Sequence, residues 1–228
     1  MPFQLSDVDV DGAIEETASH VDGDTRAAFL RKAGVAGGAT LGAGAFMGML
    51  PEFAAAAPSK KQDIQILNFA LTLEYLEAAF YKEAVSSGAL TDQVLALARK
   101  LNTDEQTHVS ALRRTIKSLG GKAVSSPKFD FQGTTKDQTK FVATSFVLEN
   151  TGVRAYLGQA GRLKSKALLA AAASIVTVEA RHAGAIAVVL NDTPFSGKHS
   201  ISPSGSFDRS TSMSGILSEV KKTKFIKS

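Results

Sequence analysis

The chain has 228 residues, a formal charge of +4, and 44% hydrophobic against 21% charged residues, an ordinary globular balance with room for one well-buried domain and tails. It contains no cysteine, which excludes disulfides, thiol nucleophiles, iron–sulfur clusters and sulfur ligands, so any metal must be held by histidine and carboxylate. The excess lysine gathers partly in the tail, at Lys221, Lys222, Lys224 and Lys227, rather than among stacking aromatic residues, which speaks for solubility and against a nucleic-acid partner.

Residues 1–24 are acidic and have no apolar period. Thr25 to Lys32 then leads into an uncharged run from Ala33 to Leu50, followed by Pro51 and the small residues Ala54 to Ala57. Six glycines in the run (34, 37, 38, 42, 44, 48) make it a poor membrane-spanning helix. The order is basic, apolar, then cleavable. Thr25, Arg26, Phe29, Leu30 and Arg31 resemble a twin-arginine export signal of the form Ser/Thr-Arg-Arg-x-Phe-Leu-Lys/Arg, with Ala27 where the second arginine would stand. The expectation is an exported protein, periplasmic or extracytoplasmic, that meets a membrane only through this segment if it stays uncleaved; a cytoplasmic protein is the alternative.

From Lys61 onward apolar residues recur every three or four positions, and Gly and Pro are nearly absent within each long segment, which predicts helices. The first covers about Gln62 to Ser86. The second follows Thr91, an expected N-cap, and stops at Gly120-Gly121, a pair suited to a left-handed C-cap. Residues 122–136 hold Ser125, Ser126, Pro127 and Gly133, a loop long enough to run the height of a bundle. A third helix is expected over about Asp137 to Gln159. A fourth, alanine-rich, runs from Lys166 to Leu190 after the N-cap candidate Ser165. Short, long, short connections predict an all-α four-helix bundle with one long crossover. A turn-rich stretch then leads to a short C-terminal helix, about Ser212 to Lys224, whose Met213, Ile216, Leu217 and Val220 should pack outside the bundle. The expected division is 1–60 for the N-terminal segment and linker, 61–192 for the bundle and 193–228 for the tail.

The two helix pairs repeat one polar pattern. Glu74 and Glu149 are 75 residues apart, as are Tyr81 and Tyr156, while Glu105 and Glu179 are 74 apart, as are His108 and His182. Each half reads Glu, Tyr seven residues on, then Glu-x-x-His in the next helix. Residues three apart share a helix face, so each Glu-x-x-His aims a carboxylate and an imidazole at one point in the core. Seven residues is two turns, which places Tyr81 above Glu74 and Tyr156 above Glu149, where a phenol can bond a ligand without itself holding metal. Four buried carboxylates would be untenable alone, but two divalent cations neutralise them and two imidazoles complete the coordination. A single Glu-x-x-His usually lies on a solvated face; two copies with matched upstream Glu and Tyr argue for a two-metal carboxylate bundle.

Glu77 lies one turn beyond Glu74, and its repeat partner is Gly152. It is open to three readings: a further metal ligand, a base beside the ligands, or a residue at the edge of the face. His20 and His199 fall in irregular segments and are expected to face solvent.

At Leu73 to Tyr81, Leu148 to Tyr156 and Val178 to His182 the chain resembles the ferritin-like domain family that includes desiccation-related proteins, and the likeness covers about Asp63 to Ile226. The wider superfamily holds ferritins, rubrerythrins and manganese catalases. The resemblance implies a ferritin-like bundle with two iron ions, or manganese as the alternative, and chemistry with peroxide, dioxygen or ferrous iron, in a possible homo-oligomer. In that reading Glu74, Glu105 and His108 chiefly hold one ion, Glu149, Glu179 and His182 the other, and Tyr81 or Tyr156 donates a proton or an electron. A non-enzymatic protective protein without a working metal site is the alternative. No Walker-type loop, Gly-x-Ser-x-Gly elbow or dinucleotide fingerprint is present.

Overall fold

The computed structural model describes residues 59–190 and 194–227. The described residues all belong to one compact unit. The signal-like residues Thr25 to Arg31, and His20, lie outside the described residues.

Five helices carry the described chain: α1 Lys60–Ser86, α2 Asp92–Ser118, α3 Gln138–Ala160, α4 Lys166–Leu190 and α5 Met213–Thr223. Local chemistry sets their ends. Ser59, Asp137 and Ser212 accept the backbone N–H of Gln62, Lys140 and Gly215, respectively, and so cap α1, α3 and α5. The α2 terminus differs from expectation, because the Thr91 hydroxyl does not cap; its backbone N–H and hydroxyl both donate to Gln138 Oε1 instead. At the far end of α2, Gly120 takes φ +72°. Its N–H bonds Lys117 O while that of Gly121 bonds Ile116 O, a Schellman motif that satisfies two carbonyls the helix would otherwise leave open.

The contacts fix the path of the chain. Residues 122–136 start beside Asn68, which holds Lys122 O and the Val124 N–H, and reach Glu83, which accepts from Thr135 Oγ1 at 2.6 Å. They therefore run along α1 for most of its length. Gln138 at the start of α3 meets Thr91 at the start of α2, and Asp63 at the start of α1 accepts from Lys164 N, just before α4. The helices thus run up, down, down, up, with the crossover between the two hairpins. The crossover also contains β1, Lys128–Phe129, which pairs antiparallel with β2, Ile226–Lys227, in the register Lys128↔Lys227 and Phe129↔Ile226. That ribbon joins residues about a hundred positions apart, and nothing in the local sequence announces it.

Two apolar clusters fill the bundle. One end packs Phe80, Tyr81, Phe131, Phe141 and Phe225; the other packs Leu67, Leu71, Leu112, Ile116 and Leu168. α5 lies against the outer face of α1 and α3, with Ile216 and Val220 buried beside Phe69, Leu73 and Ala155, while Leu217 stays 45% exposed. Arg154 clamps it through Glu219, at 3.1 and 2.7 Å. The segment before α5 crosses α3 at Gly158, where a Cβ would fall 1.9 Å from Thr211 O. Only glycine admits that crossing.

Candidate metal centre

Between the two apolar clusters lies a polar layer. Glu74 and Glu77 come from α1, Glu105 and His108 from α2, Glu149 from α3, and Glu179 and His182 from α4. All seven are buried, with Glu105, Glu149 and Glu179 fully so. Five buried carboxylates in one layer cannot all be ionised without compensating positive charge.

The distances show where that charge belongs. His108 Nδ1 lies 3.0 Å from Glu179 Oε1, 3.1 Å from Glu105 Oε2 and 3.2 Å from Glu74 Oε2. His182 Nδ1 lies 3.1 Å from Glu105 Oε1 and 3.2 Å from Glu149 Oε2. A ring nitrogen carries at most one hydrogen, so neither can satisfy every oxygen that converges on it. Glu105 Oε1 and both oxygens of Glu179 are buried and make no well-formed hydrogen bond, the imidazole approaches to Glu105 Oε1 and Glu179 Oε1 being ion-pair contacts only. The donors fall into two overlapping groups, Glu74, Glu105, His108, Glu179 and Glu105, Glu149, Glu179, His182, with one donor atom from each member within 4.8 Å of the others. Orphaned carboxylate oxygens and imidazoles in this arrangement fit metal ions of the kind that take oxygen and nitrogen ligands, iron and manganese among them. Glu105 and Glu179 belong to both groups, so the layer is not two separate triads.

With protein groups alone, protons distribute unevenly over the layer. Burial pushes Glu74 up to about 8. Burial, then the charges of Glu74 and Glu149, raises Glu179 well above the usual carboxylate range. Glu77 is raised in the same way, by burial and then by Glu179 and Glu149. Burial would also raise Glu105, but the neighbouring His108, His182 and Glu74 together outweigh it and bring it to about 2. Burial disfavours both imidazolium ions, yet the carboxylates around them raise His108 to about 12 and His182 to about 11.

Each tyrosine serves the opposite half of the molecule. The Tyr81 hydroxyl donates to Glu149 Oε1, and the Tyr156 hydroxyl donates to Glu74 Oε1 at 2.5 Å. Helical spacing places each phenol two turns from the Glu of its own helix, but the bonds cross between α1 and α3. Glu77 is not at the edge of the face. It is buried within the layer yet belongs to neither donor group, and a Cβ at its repeat partner Gly152 would sit 3.4 Å from Glu77 Oε1 and 3.5 Å from Glu179 Oε2. The residue that breaks the repeat thus leaves the room that the Glu77 carboxylate occupies.

Asp104 is a member of the site that spacing does not reveal. His182 Nε2 lies 3.0 Å from Asp104 Oδ2, and Lys100 holds the same carboxylate at 2.5 Å. Burial raises Asp104, but Lys100 and His182 outweigh that and lower it. A carboxylate behind the outer nitrogen fixes an imidazole's tautomer and strengthens it as a ligand. The repeat counterpart of Asp104 is Val178, so the arrangement is not matched in the other half. His199 is exposed, as expected, with its ring against the edge of Phe146 at 5.4 Å.

The sequence profile of the family described as "Ferritin-like domain" matches residues 62–192, a span that takes in all four bundle helices and every member of the polar layer. Among curated proteins the chain finds no match. With more than half of its length covered and the bundle laid out as above, the chain belongs to the ferritin-like domain family.

Proposed function

We propose that this is a two-metal carboxylate protein, with iron the leading ion and manganese the alternative, that handles peroxide, dioxygen or ferrous iron. The observation that carries the reading is the sharing, between two donor groups, of Glu105 and Glu179, three of whose four carboxylate oxygens make no well-formed hydrogen bond within the protein. In this reading Glu74 and His108 complete one group, Glu149 and His182 the other. Bound ions would supply redox equivalents and paired Lewis-acid positions for a small oxidant. The chain's own groups set the rest. Tyr81 and Tyr156 orient Glu149 and Glu74, and burial keeps both phenols protonated, raised well above their ordinary range. Each can therefore hold a proton beside the layer without becoming a ligand. Glu77 is a carboxylate within the same charge field, able to retain a proton that the ligands give up. The apolar clusters on either side exclude bulk water.

Export through the N-terminal segment, and a protective role like that suggested by the desiccation-related resemblance, are part of the same proposal. The test is reconstitution under anaerobic conditions with ferrous or manganous ion, followed by metal analysis and a peroxide-consumption assay. Close to two ions per chain, and loss of both metal and peroxide consumption in the His108→Ala/His182→Ala double variant, would support the reading. Fewer than about one ion per chain would overturn it. Protection of dried cells that survives the double replacement would favour the non-enzymatic role instead.

A further inference from the structure

Beyond the polar layer, toward the end of the bundle where α1 and α4 begin, the four helices surround an apolar pocket of about 60 Å³. Leu67 and Leu73 line it from α1, Leu112 from α2, Tyr156 from α3, and Ala172 and Ile175 from α4. That volume holds roughly four water-sized groups, which is enough for a diatomic molecule and too little for a benzene-sized one. Short side chains form part of the wall on the α2 and α4 sides. Ala111 is half-buried there and Ala171 exposed, so the barrier to solvent is thin where these two helices meet.

The wall offers a guest no hydrogen-bond donor. The Thr115 hydroxyl donates to Ala111 O at 2.9 Å, and the Tyr156 hydroxyl donates to Glu74 Oε1. Gln159 also borders the pocket, but its Oε1 accepts from Arg162 and its Nε2 is buried away from accessible surface. A water needs about two to four polar partners to settle in a cavity, and an apolar cavity without them stays dry. Hydrogen peroxide, with two O–H groups, would give up its hydrogen bonds to water and find no replacement. Dioxygen has no such bonds to lose, and removal from water into apolar surroundings favours it. Tyr156 connects the pocket to the polar layer, because its ring lies on the wall and its hydroxyl bonds a carboxylate of the layer. A guest against that ring is one side chain away from Glu74.

We infer that the pocket is a dioxygen site serving the polar layer, and that dioxygen rather than peroxide is the oxidant held on this side of the bundle. The link to the layer rests on the two-metal reading; the occupancy of the pocket does not.

The test begins with the full metal-free chain carrying labelled methyl groups. Dioxygen, read by paramagnetic relaxation, and xenon, read by chemical shift, should both act on the methyls of Leu67, Leu112 and Leu168 well beyond those of Leu76 and Leu101 in the other apolar cluster. Hydrogen peroxide should shift none of them. Ala172→Leu fills the pocket and should abolish both gas effects; Ala172→Val takes its place if the leucine chain fails to fold. In the chain loaded with ferrous ion without air, the same variant should raise several-fold the dioxygen concentration that gives half-maximal ferrous oxidation, and leave the rate with peroxide unchanged. Gas effects spread evenly over both clusters, or undiminished in the filled variant, would overturn the pocket as a gas site, as would a peroxide shift at the same methyls. Equal slowing with both oxidants, or no slowing with dioxygen, would overturn the link to the layer. A chain that takes up both gases but binds no metal would overturn the two-metal reading and that link together, while the pocket's occupancy would stand.

Discussion

Raising the pH on the metal-free protein should lower its stability, and metal should restore it. The native state holds protons that the unfolded chain does not. Glu74 ionises near 4.5 when unfolded and at about 8 when folded, so between those values the native state binds the extra proton and stability falls as pH rises. At about 1.4 kcal/mol for each pH unit, Glu74 alone withdraws on the order of 5 kcal/mol across that span. Glu77 and Glu179 shift in the same direction, and a domain's whole margin is about 5–15 kcal/mol. The histidines add to the trend above pH 6.5, because their folded values lie at about 12 and 11. Glu105, lowered to about 2, acts oppositely: its contribution is complete above 4.5 and disappears as pH falls toward 2. Stability without metal should therefore peak near pH 4.5–5 and decline toward 8. Divalent ions displace these protons and bind more tightly as pH rises, so saturating manganous ion should flatten or reverse the decline. Urea-denaturation midpoints at pH 5, 6.5 and 8, in chelator and in manganous ion, read both effects. A midpoint in chelator that holds steady or rises from pH 5 to 8 would refute the reasoning.

Tyr156→Phe and Tyr81→Phe each remove a buried donor to a carboxylate and should lower stability by about 1.5–3 kcal/mol; calorimetric midpoints equal to the parent's would show that the crossed bonds contribute nothing. Asp104→Asn should weaken the ion beside His182 by about 10–100-fold while sparing the one beside His108, which competitive chelator titration resolves as one weakened step out of two. Gly158→Ala places a methyl group against Thr211 O and should cost about 1–3 kcal/mol through displacement of the tail. Limited proteolysis should then cut between 194 and 212 faster than in the parent, and unchanged cleavage would argue against the close crossing.

The polar layer is legible in the sequence because helical spacing is a strong local constraint: the 74- and 75-residue repeat selects Glu74, Glu105, His108, Glu149, Glu179 and His182 out of an apolar background. Spacing says which face of a helix a residue occupies, but not which neighbour that face meets. Hence it sets the tyrosines above the glutamates of their own helices, although Tyr81 bonds Glu149 and Tyr156 bonds Glu74. The sharing of Glu105 and Glu179 is likewise a property of how α2 and α4 face each other. Asp104 escapes notice in the sequence because it sits about 100° around α2 from Glu105, where a carboxylate next to Lys100 reads as an ordinary solvated pair. Glu77 stays open because the repeat gives it no counterpart; in space Gly152 is its complement. The β1–β2 ribbon and the tail's passage over Gly158 join segments distant in sequence, and neither leaves a periodic signal.

Anomalous diffraction from crystals loaded with manganous ion tests the central claim most directly. The account predicts two peaks within the bundle about 3.5–4 Å apart, each touched by Glu105 and Glu179, one beside His108 and Glu74 and the other beside His182 and Glu149. A single peak, or peaks outside the polar layer, would contradict it.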